Sequence, residues 1–204
     1  MSNQKEKLPV ATVILVSVTV LMYFISIFLR PQLFENGLLD RDRVLIYHEY
    51  GRLIGAMFLH EGIDHLFNNM VILLFLGAML EKEVGHIPLA AIYLLSGIGG
   101  NLLSLWGKVL EGTNVASLGA SGAVFGLDGL LLAMVLFSSV FRQTVSVRRV
   151  LLMIVLSLYD GFCMKNVDNY AHVGGVISGF LLGSIYIFLK NELGNKKYKG
   201  EVSL

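Results

Sequence analysis

Residues 118–140 read LGASGAVFGLDGLLLAMVLFSSV, a stretch whose one ionisable group is Asp128. As an α-helix rising about 1.5 Å per residue, a run of this length crosses a hydrocarbon core of about 30 Å. Gly122 and Gly126 stand four apart on one helical face. Missing side chains there let another backbone approach, which is how helices associate where lipid supplies no hydrophobic drive. Ser121 opens the run between Ala120 and Gly122, and Asp128 follows seven residues later, roughly 10 Å deeper on the same face. Polar groups at membrane depth are costly and usually have a purpose. The stretch predicts a spanning helix with chemistry at its start.

Outward from it, the whole chain has the same character. Its 204 residues are 55% hydrophobic and 15% charged with mean hydropathy +0.69, too little polar surface to cover a soluble core. Further apolar runs lie at roughly 8–29, 87–106 and 171–189, and shorter ones at roughly 66–80 and 150–163 have flanks that extend a helix. The fold class expected is therefore all-α, a polytopic membrane protein built as a bundle of six transmembrane helices. Glycine outnumbers proline 22 to 3, as closely packed membrane helices require. Lys5 and Lys7 precede the first run, which is longer than a signal-peptide core and lacks a small-residue cleavage site, so it reads as a retained helix. With no internal repeat or linker, residues 1–190 read as one membrane domain and 191–204 as a short charged cytoplasmic tail, expected to be disordered. The lone Cys163 cannot form an internal disulfide, and a net charge of +1 leaves no broad basic surface for nucleic acid.

Six spans put both termini on one side. Lys5, Lys7, Lys82, Arg142, Arg148, Arg149, Lys190, Lys196, Lys197 and Lys199 all fall on that side, which predicts that it faces the cytoplasm. The opposite short loops carry Lys108 and Lys165, and the long loop from Arg30 to Asp64 adds four arginines. The location expected is the plasma (cell) membrane.

In this topology the second, fourth and sixth spans all begin at the outer side, each with polar groups unusual for a membrane. The second opens with His65 and Asn69, the fourth with Gly119-Ala120-Ser121-Gly122, and the sixth with Ala171-His172-Val173-Gly174-Gly175. His65 and Asn69 are four apart and share a helical face, so their donors can converge on one spot, as an oxyanion site requires. Ser121 at a helix start adds its own backbone N–H, unpaired and at the positive end of the dipole. A serine attacks an amide when a base takes its proton, and His172, whose ordinary pKa lies near neutrality, is the candidate. Gly175, Gly179 and Gly183 fall on the same face as His172 and form a small-residue seam that Gly122 and Gly126 answer, holding Ser121 against His172.

At these residues the chain resembles the rhomboid family of intramembrane serine proteases. The resemblance is carried by Phe58-Leu59-His60, His65-Leu66-Phe67-Asn68-Asn69, Gly119-Ala120-Ser121-Gly122 and Ala171-His172-Val173-Gly174-Gly175-Val176-Ile177-Ser178-Gly179, and runs from about Arg52 to Gly183. It implies a serine endopeptidase with a Ser-His dyad and no third acid. Ser121 would be nucleophile and His172 base, with His65, Asn69 and the Ser121 backbone at the oxyanion. Its partners would be membrane proteins with a helix-destabilised transmembrane segment, within the lipid bilayer, and neither metal nor other cofactor is implied. Glu81 sits where the family often has a structural glutamate. The family's common Trp-Arg pair reads Gly51-Arg52 here, and an aromatic often found four residues after the serine is Phe125, placed to stack on His172.

Other membrane chemistries fit less well. A zinc protease needs His-Glu-x-x-His, whereas His60-Glu61 and His65 put the histidines five apart, about 140° from each other on a helix. An aspartyl protease needs two facing carboxylates, but Asp128 is expected well inside the fourth span and Asp160 near the outer end of the fifth. A transporter would use Asp128, His172 and Asn69 to line a path, yet no pseudo-repeat or proline-broken helix pair accompanies them.

Overall fold

The computed structural model describes residues 8–164 and 167–202, and among them the regular elements are helices, with one antiparallel bridge between Leu39 and Ser117. Lys5, Lys7 and Lys165 lie outside the described residues. In chain order the helices are α1 (Val10–Leu29, ending in a π-helical turn), α2 (Pro31–Gly37), α3 (Arg41–Leu45), α4 (Arg52–Gly55), α5 (Ile63–Val84, with a π-helical turn within it), α6 (His86–Leu110), α7 (Ser121–Phe137), α8 (Ser139–Thr144), α9 (Val147–Cys163) and α10 (Asn169–Val202).

Among the described residues four stretches are long and apolar enough to cross a membrane: Val10–Leu29, Ile63–Val84, His86–Leu110 and Asn169–Glu192. α7 is apolar but only 17 residues long. It is shorter than the 118–140 run because Gly119 has φ +120°, outside helical space, and Ser138 is extended (φ −104°, ψ 121°). α9 also has 17 residues, with Arg148 and Arg149 in its first turn and Asp160 near its end. The backbone of α10 is helical to Val202.

α7 is the central helix, packed between α6 and α10. Its contact with α10 is backbone against backbone: a Cβ on Gly175 would land on the Gly122 carbonyl oxygen, and one on Gly179 on that of Gly126. Further along, Gly183 meets Leu130 and Ala133 of α7. α6 joins the same seam, since a Cβ on Gly100 would come within 2.6 Å of the Ala171 carbonyl oxygen. Ser96 of α6 fits against Gly126.

The helix ends are fastened by buried polar side chains. Pro9 gives α1 no side-chain cap, and Glu81 of α5 supplies one instead. Glu81 Oε1 accepts from the Ala11 N–H at 2.8 Å, while Oε2 accepts from the Thr12 N–H at 2.8 Å and from Thr12 Oγ1 at 2.6 Å. His86 Nδ1 also meets Glu81 Oε1. The structural role that the resemblance implies for Glu81 is thus a cap shared between two helices. In the first long loop the buried Arg52 donates from Nε to Glu49 Oε2 at 2.6 Å and from Nη1 to the Leu38 carbonyl at 2.9 Å. Asn101 Nδ2 of α6 holds the Leu53 carbonyl at 2.8 Å, so this loop is anchored to the helical bundle.

Overpacking a filled core costs about 1–3 kcal/mol. Gly179→Ala should therefore lower the thermal midpoint in detergent clearly, whereas Leu181→Ala, on the exposed side of the same helix, should leave it nearly unchanged. Equal midpoints for the two variants would show that the seam is not packed as described.

Candidate active site

The approach to Ser121 is built from three consecutive constraints. Gly119 has φ +120°, a region L side chains rarely adopt, and a Cβ there would also come within 2.8 Å of His65 Cε1. Its N–H donates to the Ala56 carbonyl at 2.9 Å, tying this turn to the first loop. The next N–H, of Ala120, points at His60 Nε2 at 3.4 Å. Ser121 is then the first residue of α7, so its own N–H belongs to the first helical turn, where no carbonyl one turn back exists to receive it.

His172 lies in the first turn of α10, whose start is capped by Asp168: its Oδ1 accepts the Ala171 N–H at 3.0 Å. The other oxygen of Asp168 accepts from Ser104 of α6 and lies 3.7 Å from Lys108 Nζ. Lys108 in turn donates to Ser117 Oγ at 2.6 Å and to the Leu39 carbonyl at 3.2 Å. One buried ammonium therefore joins the first loop, the turn before α7 and the start of α10. With both helices fixed this way, Ser121 Oγ stands 2.9 Å from His172 Nε2. The Phe125 ring stacks on the imidazole, centroids 4.3 Å apart and 23° between planes, which blocks rotation away from the serine. For the hydroxyl to donate to Nε2, that nitrogen must be bare, and the ring proton then resides on Nδ1. The pair is arranged for transfer of the serine proton to the imidazole.

His65 and Asn69 do lie on one face of α5, but part of their hydrogen-bonding capacity is turned inward. Asn69 Nδ2 donates to the His65 carbonyl at 2.9 Å, leaving its second amide hydrogen. The His65 ring lies against Gly119 and meets His60 edge-on at 4.9 Å. His60 is fully buried. Burial, reinforced by the charge of His65, pushes its imidazole down to about 3, so it stays neutral and can accept from Ala120.

The two histidines weighed for zinc do come together, because His60 stands in the loop before α5 rather than on the helix. Among the described residues no group of three His, Cys, Asp or Glu side chains gathers as metal ligands would. Asp128 is buried in α7, while Asp160 is exposed on α9, so the two carboxylates do not share an environment. Asp168 was legible as a helix N-cap three residues before Ala171, although the sequence reading passed over it. Lys108 and Ser104 carried no such signal, since their value comes from contacts across helices.

Residues 47–188 match the family model described as a rhomboid domain. A putative rhomboid protease of Bacillus subtilis (strain 168), YdcA, is 35% identical over 186 residues, which cover 88% of this chain and 89% of that protein. RHOMBOID-like protein 1 of Arabidopsis thaliana is 38% identical over 155 residues, 75% of this chain and 39% of that one. Rhomboid protease GluP of Bacillus subtilis is 35% identical over 147 residues, 72% of this chain and 27% of that one. Among the Arabidopsis relatives, the matched part spans between 38% and 54% of the relative's length.

His60 also gives the site a defined response to acid. An imidazole held at about 3 when folded, against about 6.5 when unfolded, contributes stability that is complete above the higher value and declines as pH falls toward the lower. The thermal midpoint should fall on acidification below pH about 6.5, and His60→Gln should make that fall shallower. Parallel curves for the two proteins would remove His60 as a cause.

Proposed function

The chain belongs to the rhomboid family, and on that premise we propose that it is an intramembrane serine endopeptidase that cuts peptide bonds in or near transmembrane segments of membrane proteins. The observation that carries this reading is the 2.9 Å contact between Ser121 Oγ and His172 Nε2 under the stacked Phe125 ring. α1, α5, α6, α7, α9 and α10 serve as six spans with both termini cytoplasmic. α7, at 17 residues, is about 25 Å long, shorter than the hydrocarbon core, so Ser121 lies recessed beneath the outer loops. Water has to reach it from the outer face, since the acyl ester must be hydrolysed.

Ser121 Oγ attacks the substrate carbonyl carbon while His172 Nε2 takes the hydroxyl proton. The oxyanion is stabilised by the Ser121 N–H, the remaining Asn69 amide hydrogen and His65. When the C–N bond breaks, His172 returns the proton to the leaving amine. Water then attacks the acyl ester, giving its proton to His172, and Ser121 is regenerated. Gly119, Gly122, Gly175 and Gly179 position these groups and take no chemical part. An intact helix shields its peptide bonds, so the preferred substrate segment unwinds near the outer interface, at small or helix-breaking residues. The loop from Arg30 to Asp64 and α9 form the gate. A cross-link from α9 to α5 should stop cleavage, and undiminished cleavage would remove that gate.

A single-span reporter in liposomes tests the activity. Wild type should cut it with or without a chelator, Ser121→Ala and His172→Ala should lose roughly three orders of magnitude or more, and Asp128→Asn should retain activity. Cleavage by the serine variant, or its loss on chelation, would overturn the serine mechanism.

A further inference from the structure

Two buried polar atoms beside the dyad lack a hydrogen-bond partner among the described residues: Nδ1 of His172 and Oδ1 of Asn169. They are complementary. Ser121 donates to Nε2, which leaves a proton on Nδ1 and makes that atom a donor. Asn169 Nδ2 donates to the Gly161 carbonyl at 3.2 Å, and since a carbonyl can only accept, this fixes the carboxamide with its oxygen as the free acceptor. Both atoms border one small space. The position of a Cβ on Gly161 would be 2.6 Å from Asn169 Oδ1 and 3.4 Å from His172 Nδ1. Glycine at 161 keeps that space open, and a small turn of the carboxamide or one bridging water closes the remaining gap.

Building on the protease reading, we propose that Asn169 is a positioning residue, its carboxamide oxygen accepting a hydrogen bond from His172 Nδ1–H, directly or through one water, across the space left open by Gly161. The bond holds the imidazole in the tautomer whose bare Nε2 faces Ser121. It strengthens when the ring takes the serine proton, because a charged donor bonds more strongly than a neutral one. The amide nitrogen of the same side chain grips the backbone of α9, so the position of that helix reaches the base through a single residue.

Asn169→Ala removes both the acceptor and the grip on α9, whereas Asn169→Asp keeps the acceptor and removes the grip. In the reporter assay Asn169→Ala should lower kcat about tenfold to a hundredfold with KM within about twofold, and Asn169→Asp should recover most of the loss. The imidazole 15N signals of His172 should show Nδ1–H in wild type and a mixed tautomer in Asn169→Ala. Wild-type kcat in Asn169→Ala, equal losses in both variants, or an Nε2–H tautomer in wild type would overturn the assignment. If wild type cuts nothing, or Ser121→Ala still cuts, the protease reading fails, and the 15N spectra still decide whether Asn169 holds His172.

Discussion

Ser121 and His172, the proposed nucleophile and base, sit on two different helices, so a 2.9 Å hydrogen bond between them demands that the helices meet with no side chain in the way. Packed helices ordinarily stand about 8–10 Å apart, with side chains filling the interval. Here α7 and α10 touch through Gly122, Gly175 and Gly179, each placed where a single methyl would meet the facing backbone, and through Gly126, whose carbonyl faces Gly179. α6 closes the third side through Gly100 against Ala171, the residue before the histidine. Close approach is thus the condition under which Ser121 and His172 can bond at all, and the rest of the bundle serves to hold it.

That seam sets distance but not rotation or depth, which fall to the polar groups at the helix ends. At the end that carries Ser121, Lys108 and Asp168 bind the first loop, the turn before α7 and the first turn of α10 into one unit. At the other, Glu81 caps α1 with three hydrogen bonds from Ala11 and Thr12. Such groups are affordable inside a membrane protein only where each finds partners, and these do. Asp128 stands apart, buried in the face of α7 that carries Ser121 and uninvolved in either network.

Much of this was legible in the residues, for physical reasons that can be named. Ser121 and His172 stood out because each opens an apolar run beside glycine, and the spacing of Gly175 and Gly179 from His172 is a helical repeat readable without coordinates. The stacking of Phe125 followed from its place one turn after the serine. The start of α7 at Ser121 was legible too, but not its cause, the positive φ of Gly119. Asn69 and His65 were read as two converging donors, yet the same four-residue spacing lets the amide bond back to its own helix, as it partly does. The angular argument against His60 and His65 assumed one helix, and His60 lies in a loop. Asn169, Gly161 and Lys108 gave no warning, since each matters through a contact with a distant segment that periodicity cannot report.

The account stands on Ser121 being an activated nucleophile, and covalent labelling asks that question without any need to know the substrate. The purified protein would be treated with a fluorophosphonate probe and the modified peptide located by mass spectrometry. Adduct on Ser121, absent from His172→Ala although that variant keeps its thermal midpoint, is the predicted result. A folded protein that takes no label, or labels equally well without His172, would contradict it.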